Sequence, residues 1–158
     1  MTPEARIAAA IDILDSILGG EPAERTLTTW ARGHRFAGSG DRAAIRDLVF
    51  DAIRRCRSLT WLGGGETGRA LMLGRLRASG VDPASVFTGA GYAPEPLDED
   101  EAGAGRSLDQ APDPVRLDCP DWLWPKLQDS LGEALGPTLA VLQDRAPVFL
   151  RVDRKSVV

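Results

Sequence analysis

The sequence predicts an all-α domain, a helical bundle of about five helices over residues 1–90, followed by an acidic linker and a small partial α+β segment. Two observations carry that expectation. Apolar residues recur at helical spacing from Ile7 to Leu18 and again from Ile45 to Leu59. Glycine clusters at Gly19-Gly20, Gly38-Ser39-Gly40 and Gly63-Gly64-Gly65 punctuate those runs. A chain of 158 residues, 43% apolar and 27% charged, has the size and composition of one globular domain with at most a small appendage.

The first helix is expected from about Thr2 to Leu18. Thr2 can cap it, Pro3 suits the first helical position, and Glu4 faces the positive end of the dipole. Ile7, Ile11, Leu14 and Leu18 form its stripe, widened by Ile17, and Gly19-Gly20 ends it. A shorter helix after Pro22 should bury Leu27, Trp30 and Ala31. A third helix, capped by Asp41, is expected to run unbroken to about Trp61. It would bury Ile45, Leu48, Val49, Ala52, Cys56 and Leu59, with Ile53 at the edge of the stripe. Residues 66–78 read as a fourth helix closed by Gly80, and Asp82-Pro83 as the cap of a short fifth.

Charge separates the next segment. Residues 1–90 carry 12 basic and 10 acidic side chains, residues 91–118 carry 2 and 8, and residues 119–158 carry 5 of each. The total of −4 therefore resides in a Pro/Gly-rich acidic stretch with the composition of a linker, where the domain boundary is expected. Residues 119–158 should hold a helix from Pro120 with Trp122, Leu123, Leu127 and Leu131 on one side, and a second helix near Pro137 to Gln143. Pro147 to Val152 then reads as a β-strand. One strand needs partners, so the segment reads as the incomplete start of a further region.

The N-terminus lacks a signal-peptide pattern, no apolar run approaches a bilayer span, and the two cysteines lie far apart. The chain is expected in the cytoplasm, with no membrane or DNA partner. A single histidine argues against a structural zinc site. Gly63-Gly-Gly-Glu-Thr-Gly68-Arg69-Ala70 imitates a phosphate loop but places Arg69 and Ala70 where lysine and a metal-binding hydroxyl belong. Cys56 reads as a core residue, and Cys119 has no histidine nearby to activate it. His34 is expected to cap or contact something local. No catalytic, cofactor or metal residue is assigned.

The arginines are the chemical feature. Between Trp30 and Arg57 there are seven against three acids, a local +4. On one continuous helix Arg42, Arg46 and Arg57 would fall within about 60° of one another along ~22 Å, a row that suits phosphates. Arg32, His34 and Arg35, with Phe36 as a stacking ring, would extend it. Composition alone fits a solvated helix face at least as well, since Asp51 can pair with Arg55.

The run Trp30, Arg32, His34-Arg35-Phe36-Ala37-Gly38-Ser39-Gly40-Asp41-Arg42-Ala43-Ala44-Ile45, then Val49-Phe50-Asp51 and Arg54-Arg55, resembles the N-terminal NusB-like domain of RsmB/Sun (Fmu) RNA cytosine-5 methyltransferases. A second block, Pro120-Asp121-Trp122-Leu123 with Leu127, Gly132 and Leu142, then Ala146 to Val152, resembles the opening of those enzymes' pre-catalytic region. The resemblance implies a NusB-like bundle that binds or positions RNA, with rRNA the expected substrate. It makes Arg32, Arg35, Arg42, Arg46, Arg54 and Arg57 the candidate RNA contacts. The family's catalytic half holds S-adenosylmethionine on a glycine-rich loop and uses cysteines in Pro-Cys and Thr-Cys settings. Those motifs do not occur in this sequence, and Asp153 stands where the family has asparagine. The expectation is thus a truncated, catalytically inactive RNA-binding accessory portion with no cofactor of its own. The alternative is a NusB-type helical protein–protein or antitermination module, with a protein partner bound through the helical domain and no methyltransferase role.

Overall fold

The structure, a computed structural model, describes residues 1–103 and 106–151. The described residues are helical and contain no strand: α1 Pro3–Leu18, α2 Ala23–Gly33, α3 Ser39–Arg54, α4 Cys56–Gly63, α5 Gly68–Ala78, α6 Glu99–Gly103, α7 Asp113–Arg116, α8 Trp124–Leu131 and α9 Leu135–Gln143. The all-α class is as the periodicity predicts. The α+β segment is not: Pro147 to Arg151 is extended but unpaired, with Val148, Phe149 and Leu150 exposed. An isolated extended run has no second strand to satisfy its backbone groups, so no sheet forms. Val152 and everything after it lie outside the described residues.

Local chemistry explains the bundle. Thr2 caps α1 by accepting the Ala5 N–H at 3.2 Å, with Pro3 opening the helix as its preset φ favours. The buried face of α1 is Ile7, Ala9, Ala10, Ile13 and Leu14; Leu18, expected on the stripe, is 45% exposed. Alanines at the centre let neighbouring helices approach closely. Gly68 uses that space: a Cβ there would lie 2.5 Å from the Ile11 carbonyl oxygen. The Asp15 carboxylate accepts the Gly68 N–H at 2.7 Å, and Thr67 accepts that of Ala70, so α5 is capped both by α1 and by its own N-cap residue. In α2, Leu27 is buried, whereas Trp30 and Ala31 are only half-buried.

Asp41 does not occupy the N-cap. It sits one turn inside α3 and reaches back to accept the Gly38 N–H at 3.2 Å, as well as Arg6 Nε at 2.9 Å and the Met1 ammonium. Burial alone would raise this carboxyl's pKa. Its hydrogen bonds from Arg6, the amino terminus and Gly38 outweigh that and hold it below the ordinary carboxylate range.

The single long helix expected to Trp61 is two helices. At Arg55 the backbone leaves helical geometry (φ −110°, ψ 30°), and α4 restarts at Cys56. The break frees the Ser58 N–H, which is taken at 2.8 Å by Asp118 Oδ1 from sixty residues further on. Asp118 thereby caps α4 from a distance, itself in the left-handed region (φ 52°) that aspartate tolerates. Across the break, Ile45, Val49, Ala52 and Leu59 are fully buried, while Leu48 and Cys56 pack at the margin and Ile53 is exposed.

Helices α4 and α5 form the tightest pair. A Cβ on Gly63 would stand 1.9 Å from the Ala70 carbonyl oxygen, and one on Gly74 would stand 2.1 Å from that of Leu59. Leu71, Met72, Leu73 and Leu76 fill the core beside them. Pro83–Ser85 forms a 3-10 turn capped by Asp82 in place of the short fifth helix, delivering Phe87 to the same core.

Residues 91–118, a linker by composition, carry α6, α7 and a 3-10 turn. Arg69 of α5 grips this stretch, donating from Nε and Nη2 to the two carboxylate oxygens of Glu101 at 2.6 and 2.7 Å and also binding the carbonyls of Glu95 and Pro96. The arginine hydrogen bond holds the Glu101 carboxyl below its ordinary pKa. Beyond it, Cys119, Leu135 and Leu139 make a second, smaller core flanked by Leu123, Leu127 and Leu131. Trp122, expected on the apolar side of the first C-terminal helix, is 69% exposed, and Leu142 is 64% exposed.

Candidate functional site

The six candidate arginines divide into two sets. Thr28, Ala31 and Arg32 lie along α2, Arg35 follows in the turn just past its C-cap His34, and Arg42 comes from the first turn of α3. Together these five line an open hollow of about 440 Å³. Arg32, Arg35 and Arg42 are exposed, and among the described residues none of their side chains makes an ion pair or hydrogen bond to a protein group. Three guanidinium groups without carboxylates around one concavity favour an anion, and guanidinium geometry favours a phosphate.

The other three are engaged elsewhere. Arg46 pairs with Glu24 at 2.5 Å and lies 5.5 Å over the Phe50 ring. Arg54 faces Asp51 at 3.9 Å, a carboxylate that Arg75 holds more closely at 3.0 Å. Arg57 turns to Asp121 at 2.7 Å and to the Cys119 carbonyl. The row expected for Arg42, Arg46 and Arg57 does not form. The angular arithmetic assumed one helix, and the break at Arg55 removes that premise. Asp51, expected to pair with Arg55, instead accepts from Arg75.

Beside the hollow, the end of α2 is aromatic. The Trp30 and His34 rings stack at 4.4 Å, and the His34 backbone N–H caps the helix on the Trp30 carbonyl. His34 Nδ1 lies 2.8 Å from the same oxygen, so it carries the proton and donates. Phe36 meets His34 edge-on at 5.7 Å and is 75% exposed. No family model, curated protein or solved structure matches this chain.

Other candidates carry no chemistry. Among the described residues there is no group of three or more potential metal ligands. The Gly63–Ala70 stretch joins α4 to α5, its Gly64 in the left-handed conformation that stops a helix. Burial pushes the Cys56 thiol above its ordinary pKa, and Cys119 is 2% exposed, so neither is poised as a nucleophile. No helix among the described residues is long and apolar enough to cross a membrane.

The sequence reading missed Thr28 and Ala31. Their signal was partial: with Arg32 they sit at i, i+3 and i+4 of one short helix, whereas Arg35 lies past its end.

Proposed function

We propose that this chain is an RNA-binding module whose phosphate-contacting surface is the Arg32–Arg35–Arg42 hollow. By the resemblance stated above, it serves as the N-terminal accessory portion of an S-adenosylmethionine-dependent rRNA cytosine-5 methyltransferase. One observation carries the reading: in a chain of net charge −4, three arginines converge with no carboxylate partner while Arg46, Arg54 and Arg57 are engaged. Chemistry on cytosine is not assigned to this chain. Its part is to hold the RNA backbone.

Binding of the full chain to fluorescein-labelled single-stranded rRNA fragments tests this. R32A/R35A/R42A should weaken binding by about tenfold or more. It should also flatten the salt dependence by roughly 0.7 of a slope unit per lost phosphate contact. R46A/R54A should change both far less. A parent chain that binds no RNA, or a triple variant with unchanged affinity and slope, overturns the reading.

The exposed run Val148-Phe149-Leu150 favours a second reading, a NusB-type protein–protein module. It predicts a complex with a protein partner that survives R32A/R35A/R42A unchanged.

A further inference from the structure

On the other side of the His34–Phe36 turn from the arginine hollow lies a second concavity of about 600 Å³, between α1 and α2. Its size falls within the range of small-ligand sites. Helix α1 contributes the short side chains of Ala5 and Ala8, which leave room for a flat ring. Four rings also line it: Trp30, His34, Phe36 and Tyr92. Trp30 and His34 spend their faces on each other, but Phe36 and Tyr92 are 75% and 84% exposed. Tyr92 is brought here from the start of the acidic segment, fourteen residues past the end of α5, and nothing in that segment's composition announced it.

We infer that this concavity seats an unpaired base of the RNA whose phosphates lie on Arg32, Arg35 and Arg42. The inference rests on the reading proposed above and adds the part of the nucleotide that reading leaves unplaced. Two features choose a nucleobase over other flat apolar groups. Arg35 stands between His34 and Phe36 in the chain, so the anion-binding hollow and the rings share one turn. Asp12 also lines the concavity, and its carboxylate repels phosphate, which keeps the backbone on the arginine side and admits only the uncharged ring. Stacking on exposed rings is tolerant of base identity, because every base has a π-face. The seat therefore favours single strands over duplex without choosing a sequence.

A cycle with two probes tests the seat: labelled oligoadenylate RNA, and an abasic RNA of the same length and phosphate number. Phe36 and Tyr92 are exposed, so F36A/Y92A should retain the parent's circular dichroism spectrum and melting temperature. The expected result is that the parent prefers oligoadenylate to abasic RNA by about tenfold or more. F36A/Y92A should lose that preference yet keep the parent's salt slope. R32A/R35A/R42A should lower the slope and weaken both RNAs. If F36A/Y92A keeps the full preference while the arginine variant loses affinity, the seat falls and the phosphate surface stands. If the parent binds neither RNA, both fall together.

Discussion

The bundle and the C-terminal piece are stabilised by different physics. Fifteen buried apolar residues, among them Ile13, Leu14, Ile45, Leu59, Leu73 and Phe87, form one continuous core for α1 to α5. At about 1.5–3 kcal/mol for each large side chain, that core sustains itself. The C-terminal core has three buried residues, Cys119, Leu135 and Leu139, too few to offset the ordering of α8 and α9 alone. What it has instead is a polar joint. Asp118 accepts from the buried Ser58, backbone and hydroxyl, at 2.8 Å each, and from Gln143 Nε2 at 2.7 Å, while Arg57 holds the Cys119 carbonyl and Asp121. The lesson is that one region is specified by shape, the other by a few directional bonds to its neighbour.

The harshest test of the shape-specified region is Gly74→Ala. Its new Cβ would meet backbone, the Leu59 carbonyl oxygen at 2.1 Å and carbon at 2.9 Å, so α4 and α5 must move apart. A loss of about 3 kcal/mol or more is expected, seen as a drop of roughly 10 °C in thermal melting. Gly40→Ala, in α3 with nothing near its Cβ, should leave the melt unchanged or raise it slightly. Equal effects at the two glycines would show that close approach is not what specifies the bundle.

Asp118→Ala addresses the bond-specified region. It strips the Ser58 N–H of its partner and releases Gln143, at an expected cost of about 2 kcal/mol. The loss should be local. Limited proteolysis should remove the chain beyond Asp118 while a folded bundle survives. A single cooperative transition that lowers both regions together would erase the distinction drawn here.

The same contrast explains what was legible in the sequence. Thr2 with Pro3, the stripe of Ile45, Val49, Ala52 and Leu59, and the glycine stops are local signals, and the helices they imply are present. The break at Arg55 was not legible, because Asp118, the group that accepts the freed Ser58 N–H, lies sixty residues beyond Ser58 and approaches through a left-handed backbone. The arginines divide likewise. Arg32 on the last turn of α2 and Arg35 just past its C-cap are neighbours in sequence, so their grouping could be read. Arg46 is engaged by Glu24 and Arg57 by Asp121, pairings set only by tertiary packing. Val148 to Leu150 has strand propensity but no partner strand, and propensity without pairing makes no sheet.

Between the two regions, the Arg69–Glu101 pair ties the acidic segment to α5, and Glu101→Gln sharpens its place in the comparison. Both groups are mostly buried and the pair is bidentate, so about 1 kcal/mol should be lost at neutral pH. The pH dependence has a definite sign. Because Arg69 lowers the folded-state pKa of Glu101, the stabilisation is complete above the ordinary glutamate range. It is lost as pH falls through the lower folded value. Urea midpoints of parent and variant should therefore converge on acidification. A gap that persists unchanged in acid would mean that charge pairing is not what holds the segment.

A local and uncharged perturbation of the joint is the most discriminating. Gln143 donates to Asp118 and to the Arg116 carbonyl, so Gln143→Ala loosens α9 without altering charge. About 1 kcal/mol taken from the joint should raise the open population of the C-terminal piece several-fold. Cys119, 2% exposed, reports that opening directly, since its alkylation follows the open fraction when closing is fast. Cys56 lies on the bundle side, half-buried, with its thiol pKa pushed up by burial. Labelling of Cys119 should accelerate several-fold while that of Cys56 stays constant. Acceleration of both thiols in step would mean that the joint and the bundle open as one unit, and that the polar contacts around Asp118 are an extension of the core.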